Sequence, residues 1–443
     1  MTILDVLTAF VAYNILMLGS VFLCRGFVKK RAVVRKFLFL IALIFLVILV
    51  IPPAQATIIT EYSLGGDPKP RGIVVSVAGS PWFTELMGNG THARIGRLDE
   101  GSASFTKWWA QWYSSIQTSP GIFTYYYDSE PWDLTFGPRD LAFGSADNSY
   151  IWFSEDKGNR ITRLSSGGEM VSFYLPTPGS GPRGIKIYRY GSINNNTLFF
   201  TEYSRHKIGA LRLDGGLWVL KEYYTPTSSS GPLDITIDGN GLVWFTESDA
   251  SKIGKFNPWT GVMSEYPVTA GSKPWGIAVD RNGFVWFTES QANKISRLDP
   301  WSGEYLRVEI PTPGSEPHEI AVDPLGNIWF TEFTGNKIGK YMPRENVFVE
   351  YPLSTPGSAP DGLAIESQDK IWFTERGSNK IGRLTPGPGW VTTSTTVTTI
   401  SSATTQYPPL VVTALTTTSS SSTALAPSGA ATTITTAYAA TTT

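Results

Sequence analysis

Pro317-His318-Glu319-Ile320-Ala321-Val322-Asp323-Pro324-Leu325-Gly326-Asn327-Ile328-Trp329-Phe330-Thr331-Glu332, followed by Asn336-Lys337-Ile338-Gly339-Lys340, is the stretch that decides the fold. Its short apolar runs are separated by Gly, Asn and Pro, the pattern of strands joined by tight turns. A fourth run, Val349-Glu350-Tyr351-Pro352-Leu353, leads through Thr355-Pro356-Gly357-Ser358 to the next Pro360. The phrase Trp-Phe-Thr-Glu has seven versions in the chain, opening at Trp82, Trp152, Phe199, Trp244, Trp286, Trp329 and Trp372. From the third onward each follows its predecessor by about 42 to 47 residues, the period of a four-stranded propeller blade. The runs are apolar on both faces, as strands sandwiched between neighbouring blades must be. The expected fold is therefore all-β, a seven-bladed propeller of four-stranded blades.

Working outward, composition divides the 443 residues into three parts. Residues 57–388 carry the repeats. The seventh copy ends with Asn379-Lys380-Ile381-Gly382-Arg383-Leu384 and lacks an outer strand, whereas Ile59-Thr60-Glu61-Tyr62-Ser63-Leu64 is an outer-strand sequence without a blade. The N-terminal strand is thus expected to complete the last blade and lock the ring. Between the first two copies lies an aromatic insertion at about 100–130, with Trp108, Trp109, Trp112, Tyr113 and Tyr125-Tyr126-Tyr127; it either forms a lid or extends the outer edge.

Residues 1–56 are apolar and basic. Ile3–Leu23 is long enough to span a bilayer, and Phe37–Ile51 is a shorter apolar run ending in Pro52-Pro53-Ala54-Gln55-Ala56, which resembles a signal-peptidase site. Either both stretches anchor the chain, the reading favoured here, or cleavage after Ala56 releases the body. The basic cluster Arg25, Lys29, Lys30, Arg31, Arg35 and Lys36 puts the repeats outside the cytoplasm in both cases. Residues 389–443 are a Thr/Ser-rich tail without the means to bury a core, expected to be disordered or an O-glycosylated stalk. Asn89-Gly90-Thr91 and Asn195-Asn196-Thr197 are N-glycosylation sequons. A net charge of -1 with the basic residues gathered at the N-terminus leaves the body mildly acidic, which argues against nucleic acid as partner; one cysteine, Cys24, excludes a disulfide framework. The body is read as a monomeric ring.

In an antiparallel hairpin the start of the first strand lies beside the end of the second. The residue after each repeat proline therefore sits at the channel mouth beside that blade's Glu. Round the ring the mouth positions are Arg71, Arg139, Arg183, Leu233, Trp275, His318 and Asp361, and the paired acids are Glu85, Glu155, Glu202, Glu247, Glu289, Glu332 and Glu375. A Glu present in every blade reads as architecture. Arg71, Arg139 and Arg183 form either an anion-binding arc or salt bridges to the Glu ring. The sixth blade alone places Glu316, His318 and Glu332 together. Two carboxylates suit a hard cation such as Mg²⁺, and a neutral imidazole suits proton abstraction near neutral pH; the alternative is a rim histidine bonded to a local carboxylate. His92 and His206 read as surface residues.

These repeats and the Glu316-Pro317-His318…Glu332 constellation resemble the virginiamycin B lyase family over about residues 57–388. The resemblance implies opening of a cyclic depsipeptide by elimination, with Mg²⁺ held by Glu316 and Glu332 and with His318 as the base. It also marks departures on the substrate side: Trp275 stands where the family has a second histidine, and Asp361 where it has a tyrosine. The function expected is an Mg²⁺-dependent carbon–oxygen lyase acting outside the cell on an ester or lactone-like small molecule. The alternative is a non-catalytic surface propeller that binds a ligand or partner protein. A gluconolactonase-type hydrolase shares the fold but lacks a clear Asn/Asp ligand set here.

Overall fold

The computed structural model describes residues 57–387, interrupted chiefly at 88–92, 138–149 and 189–196, together with three short strands of the C-terminal tail. Both sequon asparagines, His92, Cys24 and the two N-terminal apolar stretches lie outside the described residues. No helix among the described residues is long and apolar enough to cross a membrane.

Seven antiparallel sheets form the ring, six of them from four strands consecutive in sequence, and a proline in each inner strand stands opposite that blade's Glu: Pro70, Pro131, Pro182, Pro232, Pro274, Pro317 and Pro360. The last blade is completed by Ile58–Ser63, which pairs with Lys380–Thr385 in the register Ile58↔Thr385 to Ser63↔Lys380. The closure read from the sequence is the closure observed. The second blade differs from expectation. Its inner strand is Pro131–Gly137, paired Pro131↔Glu155, so Trp132 takes the mouth position assigned to Arg139, which lies outside the described residues.

In the insertion, Trp108 and Trp109 belong to the first blade's outer strand, Ser104–Trp109, and Tyr113–Ser119 pairs with Ile122–Tyr127 as a separate hairpin. Short stretches of the tail add fifth strands. Trp390–Thr393 pairs with blade six, Val397–Ile400 with blade five and Thr435–Tyr438 with blade three.

Each letter of the repeat has a physical task. The Trp indole N–H donates to an acid in the turn between strands one and two: Trp244 to Asp238, Trp286 to Asp280, Trp329 to Asp323 and Trp372 to Glu366, at 2.7–3.1 Å. The Phe ring lies over the Gly of Lys-Ile-Gly, so closely that a Cβ on Gly209, Gly254 or Gly382 would stand 2.1 Å from ring atoms. The apolar side chains interlock between blades. Trp372 and Ile381 of blade seven pack with Ile73, Phe83 and Leu98 of blade one, which seals the ring.

The Glu ring is structural and falls into two groups. In blades one, two and five, Glu85, Glu155 and Glu289 meet a cation directly: Arg94 and Lys107, Arg160, and Arg307. In the other four, an outer-strand Glu takes the cation instead: Lys207 pairs with Glu222, Lys252 with Glu265, Lys337 with Glu350 and Lys380 with Glu61. The ring acids of those four are raised above the ordinary carboxyl range. Burial and the second carboxylate push Glu202 up to about 8, Glu247 to about 9 and Glu332 to about 8. The closing strand supplies blade seven with its acid, Glu61, as well as its hydrogen bonds.

Candidate functional site

Every inner strand carries a register shift just after its proline, which removes the mouth residue's carbonyl and the next N–H from the ladder. The repeat Thr satisfies both. Thr288 Oγ1 accepts from Gly276 N at 2.9 Å and donates to the carbonyl of His318, in the next blade, at 2.7 Å. Thr331 does the same between Glu319 N and the carbonyl of Asp361, and Thr374 between Gly362 N and that of Arg71. Gly276 is required beside this contact, since a Cβ there would lie 2.6 Å from the His318 carbonyl oxygen.

Four mouth residues on four consecutive blades form a connected arc. The His318 ring is 3% exposed. Trp275 of blade five stacks on one face at 3.9 Å between centroids, and Phe333 on the other at 4.3 Å. Nδ1 of His318 lies 2.9 Å from Asp361 Oδ1 in blade seven. Asp361 Oδ2 in turn accepts from Arg71 Nε of blade one at 3.3 Å and lies 3.5 Å from Arg376 Nη1. Burial would raise the Asp361 carboxyl, but the hydrogen bond and charge of His318, with Arg71 and Arg376, outweigh it and hold the group well below the usual carboxylate range. An ionised carboxylate only accepts, so Nδ1 carries a proton toward it, and it is in the neutral imidazole that Nε2 presents a lone pair. Nε2 has no hydrogen-bond partner and lies 4.0 Å from Glu316 Oε1.

Glu316 sits in the left-handed region with φ of 52°, as do Lys273 and Ala359 before their own prolines. That backbone is ring architecture; only the carboxylate is particular to blade six. Thr334 donates to its Oε2 at 2.5 Å. Glu332 is fully buried, and its charged neighbours are Glu350 and Lys337. Among the described residues no three His, Cys, Asp or Glu side chains stand as a metal-holding group. The set Glu316, Glu332 and His318 is therefore not assembled as Mg²⁺ ligands in this arrangement, and Glu332 behaves as the Glu of an ordinary blade.

Asp361 and Trp275, expected on the substrate side, hold the imidazole at Nδ1 and on one face. Arg71 is paired with Asp361, and Arg183 with Asp156 at 3.1 Å while its guanidinium lies 3.6 Å over Tyr203. The two described arginines thus pair with different carboxylates, neither of them a ring Glu. His206 Nδ1 accepts from Gly231 N at 3.3 Å, a loop role.

Sequence reading missed the residue after each blade's Glu, which faces the mouth across the hairpin: Phe333, Arg376 and Tyr203 are such residues. It also missed an alternation one step into the channel, Gly72, Asp133, Gly184, Asp234, Gly276, Glu319 and Gly362. Asp133 accepts from Ile185 N at 3.1 Å and Asp234 from Ile277 N at 2.9 Å, each bracing the next blade but closing on Lys186. Burial pushes Asp234 up to about 6, with Lys186 opposing and Asp133 adding. Arg71, Asp133, Asp234, Trp275, Glu319 and Asp361 border a channel cavity of about 30 Å³, room for about one water.

The virginiamycin B lyase family profile matches residues 142–404. A catalytically inactive His-to-Ala variant of virginiamycin B lyase from Staphylococcus aureus, solved with quinupristin, is 29% identical; the match covers 75% of this chain and 100% of that one, with a TM-score of 0.61. The selenomethionine form of the S. aureus enzyme is 30% identical over 75% of this chain and 100% of that one, with a TM-score of 0.61. A streptogramin B lyase structure is 31% identical over 75% and 99%, again with a TM-score of 0.61. No curated protein sequence matches significantly. By profile and by fold, the chain belongs to the virginiamycin B lyase family.

Proposed function

We propose that the protein is a carbon–oxygen lyase of the virginiamycin B lyase type, membrane-anchored and acting outside the cytoplasm on a cyclic ester or depsipeptide. The observation that carries this reading is the state of His318, whose Nδ1 is fixed by Asp361 while Nε2 has no protein partner. In such an elimination a base removes a proton from the carbon next to the one bearing the ester oxygen. The C–H electron pair becomes the new C=C bond, the C–O bond breaks, and a carboxylate leaves. Nε2 of His318 is the base, and Asp361 stabilises the imidazolium that forms. Glu316 borders Nε2 and is placed to receive a polar group of the substrate. The Mg²⁺ implied by the sequence resemblance has no assembled ligand set among the described residues.

A non-catalytic binding propeller is the second reading. It is favoured by the burial of His318, whose Nε2 is out of contact with solvent in this arrangement. The test incubates the full-length protein with cyclic depsipeptides and lactones, with and without Mg²⁺, separates product from substrate by chromatography and reads the product mass. Elimination gives a linear product of unchanged mass that is absent with His318→Ala and retained with Glu247→Ala. A product heavier by one water would replace elimination by hydrolysis, and no conversion of any compound would favour the binding reading.

A further inference from the structure

The two faces of the ring are chemically unlike. The His318 face carries the starts of the inner strands; the opposite face carries the turns between strands one and two and between strands three and four. Eight large apolar side chains among the described residues are exposed. Three of them, Trp109, Tyr174 and Tyr224, are on the His318 side, each under a cation from its own blade: Arg94, Arg160 and Lys207. The other five are all on the opposite face and on consecutive blades: Leu217 of blade three, Trp259 of four, Trp301 of five, Leu325 of six and Ile58 of seven. Trp259 and Trp301 are 59% and 70% exposed. Each indole also leans on its own blade's Gly turn, Gly241 and Gly283, and packs edge-on against Tyr188 or Phe284, so it is held in place on the surface. Exposed charges on these turns are of both signs, Arg281 and Arg344 with Glu304 and Glu345, so no charge patch identifies a nucleic acid or acidic partner.

The chain enters the ring on this same face. Ile58 pairs with Thr385, at the end of the strand remote from the mouth. Only Pro52 to Thr57 separate it from the apolar run Phe37–Ile51. Six residues reach at most about 20 Å even when fully extended. A membrane holding that run therefore lies within about 20 Å of the face that bears the exposed indoles, and Trp is the side chain that settles at the lipid headgroup boundary. We infer that this face docks on the lipid surface through Trp259, Trp301 and Leu325, so that the His318 mouth opens away from the bilayer. The inference rests on the membrane anchorage proposed above. It gives a reason for anchoring the ring by its N-terminal strand: the substrate arrives from the aqueous side.

The test uses the full-length protein with Cys24→Ser, reconstituted in phosphatidylcholine vesicles, with an environment-sensitive fluorophore on a single introduced cysteine. Trp301→Cys and Leu325→Cys report the proposed docking face; Ser228→Cys, exposed in the loop that leads to Pro232, reports the mouth face. Vesicle flotation is read first. Expected are co-flotation, with blue-shifted emission quenched by headgroup-proximal nitroxide lipid at 301 and 325 but not at 228, unchanged by raised salt. Co-flotation without quenching at 301 and 325 overturns the docking while leaving the anchor intact, and quenching at 228 alone reverses the orientation. Failure to float overturns the anchorage and the docking with it.

Discussion

A single hydroxyl illustrates how the repeat becomes a site. Thr288 lies in blade five, in a phrase that recurs round the ring, yet it donates to the carbonyl of His318 in blade six. Replacing it by Val leaves the Gly276 N–H and the His318 carbonyl without their partner in the dry interior, at a cost of about 1–3 kcal/mol. Thr201→Val removes the matching bond to Leu233, which has no part in the imidazole arc, and should cost about the same stability. The two variants are expected to melt alike while only Thr288→Val lowers kcat, measured by thermal unfolding beside the depsipeptide assay. Much of this scale was legible in sequence. His318 stood out because no other blade has a histidine at the mouth. Its partnership with Asp361 was not legible, because the two are 43 residues apart and meet only across a blade boundary. Sequence spacing puts Glu332 beside His318 across the hairpin but does not say which charged groups its carboxyl meets. The structure places its carboxyl with Glu350 and Lys337, as the equivalent Glu247 is placed with Glu265 and Lys252.

At the level of the blade, burial together with an outer-strand carboxylate raises the ring Glu in blades three, four, six and seven. Glu247 is the cleanest case, since burial and Glu265 push it from 4.5 up to about 9. Between those values the folded state binds a proton that the unfolded chain has released, so stability falls as pH rises through the window. Glu247→Gln removes that dependence and keeps a donor for Glu265. Its melting temperature should exceed that of wild type near pH 8 and approach it near pH 4.5, read from unfolding curves across the window. Blades three to seven were readable because period, proline and Glu all agree. Blade two was not, because Pro131-Trp132-Asp133-Leu134 and Pro138-Arg139-Asp140-Leu141 both fit the inner-strand pattern. Local composition cannot choose between two such starts; pairing with Tyr150–Glu155 does.

The whole ring is needed for the candidate base. Trp275, His318, Asp361 and Arg71 come from blades five, six, seven and one, and the last contact crosses the seam that Ile58–Ser63 closes. Sequence announced this closure, since an outer strand without a blade and a blade without an outer strand have one joint solution. It could not announce that the seam also carries the ion pair that keeps Asp361 charged, because that depends on which mouth residues become neighbours once the ring shuts. Asp361→Asn would keep the shape, remove the charge, and free the imidazole to take the other tautomer. The most direct measurement is therefore ¹⁵N NMR of the histidine side chains near pH 8, where an ordinary imidazole is neutral. His318 is assigned by its loss in His318→Ala, a tractable task with three histidines in the chain. The expected result is a proton on Nδ1 of His318 in wild type, with that preference lost in Asp361→Asn. A proton found on Nε2 in wild type would contradict the assignment of His318 as the base.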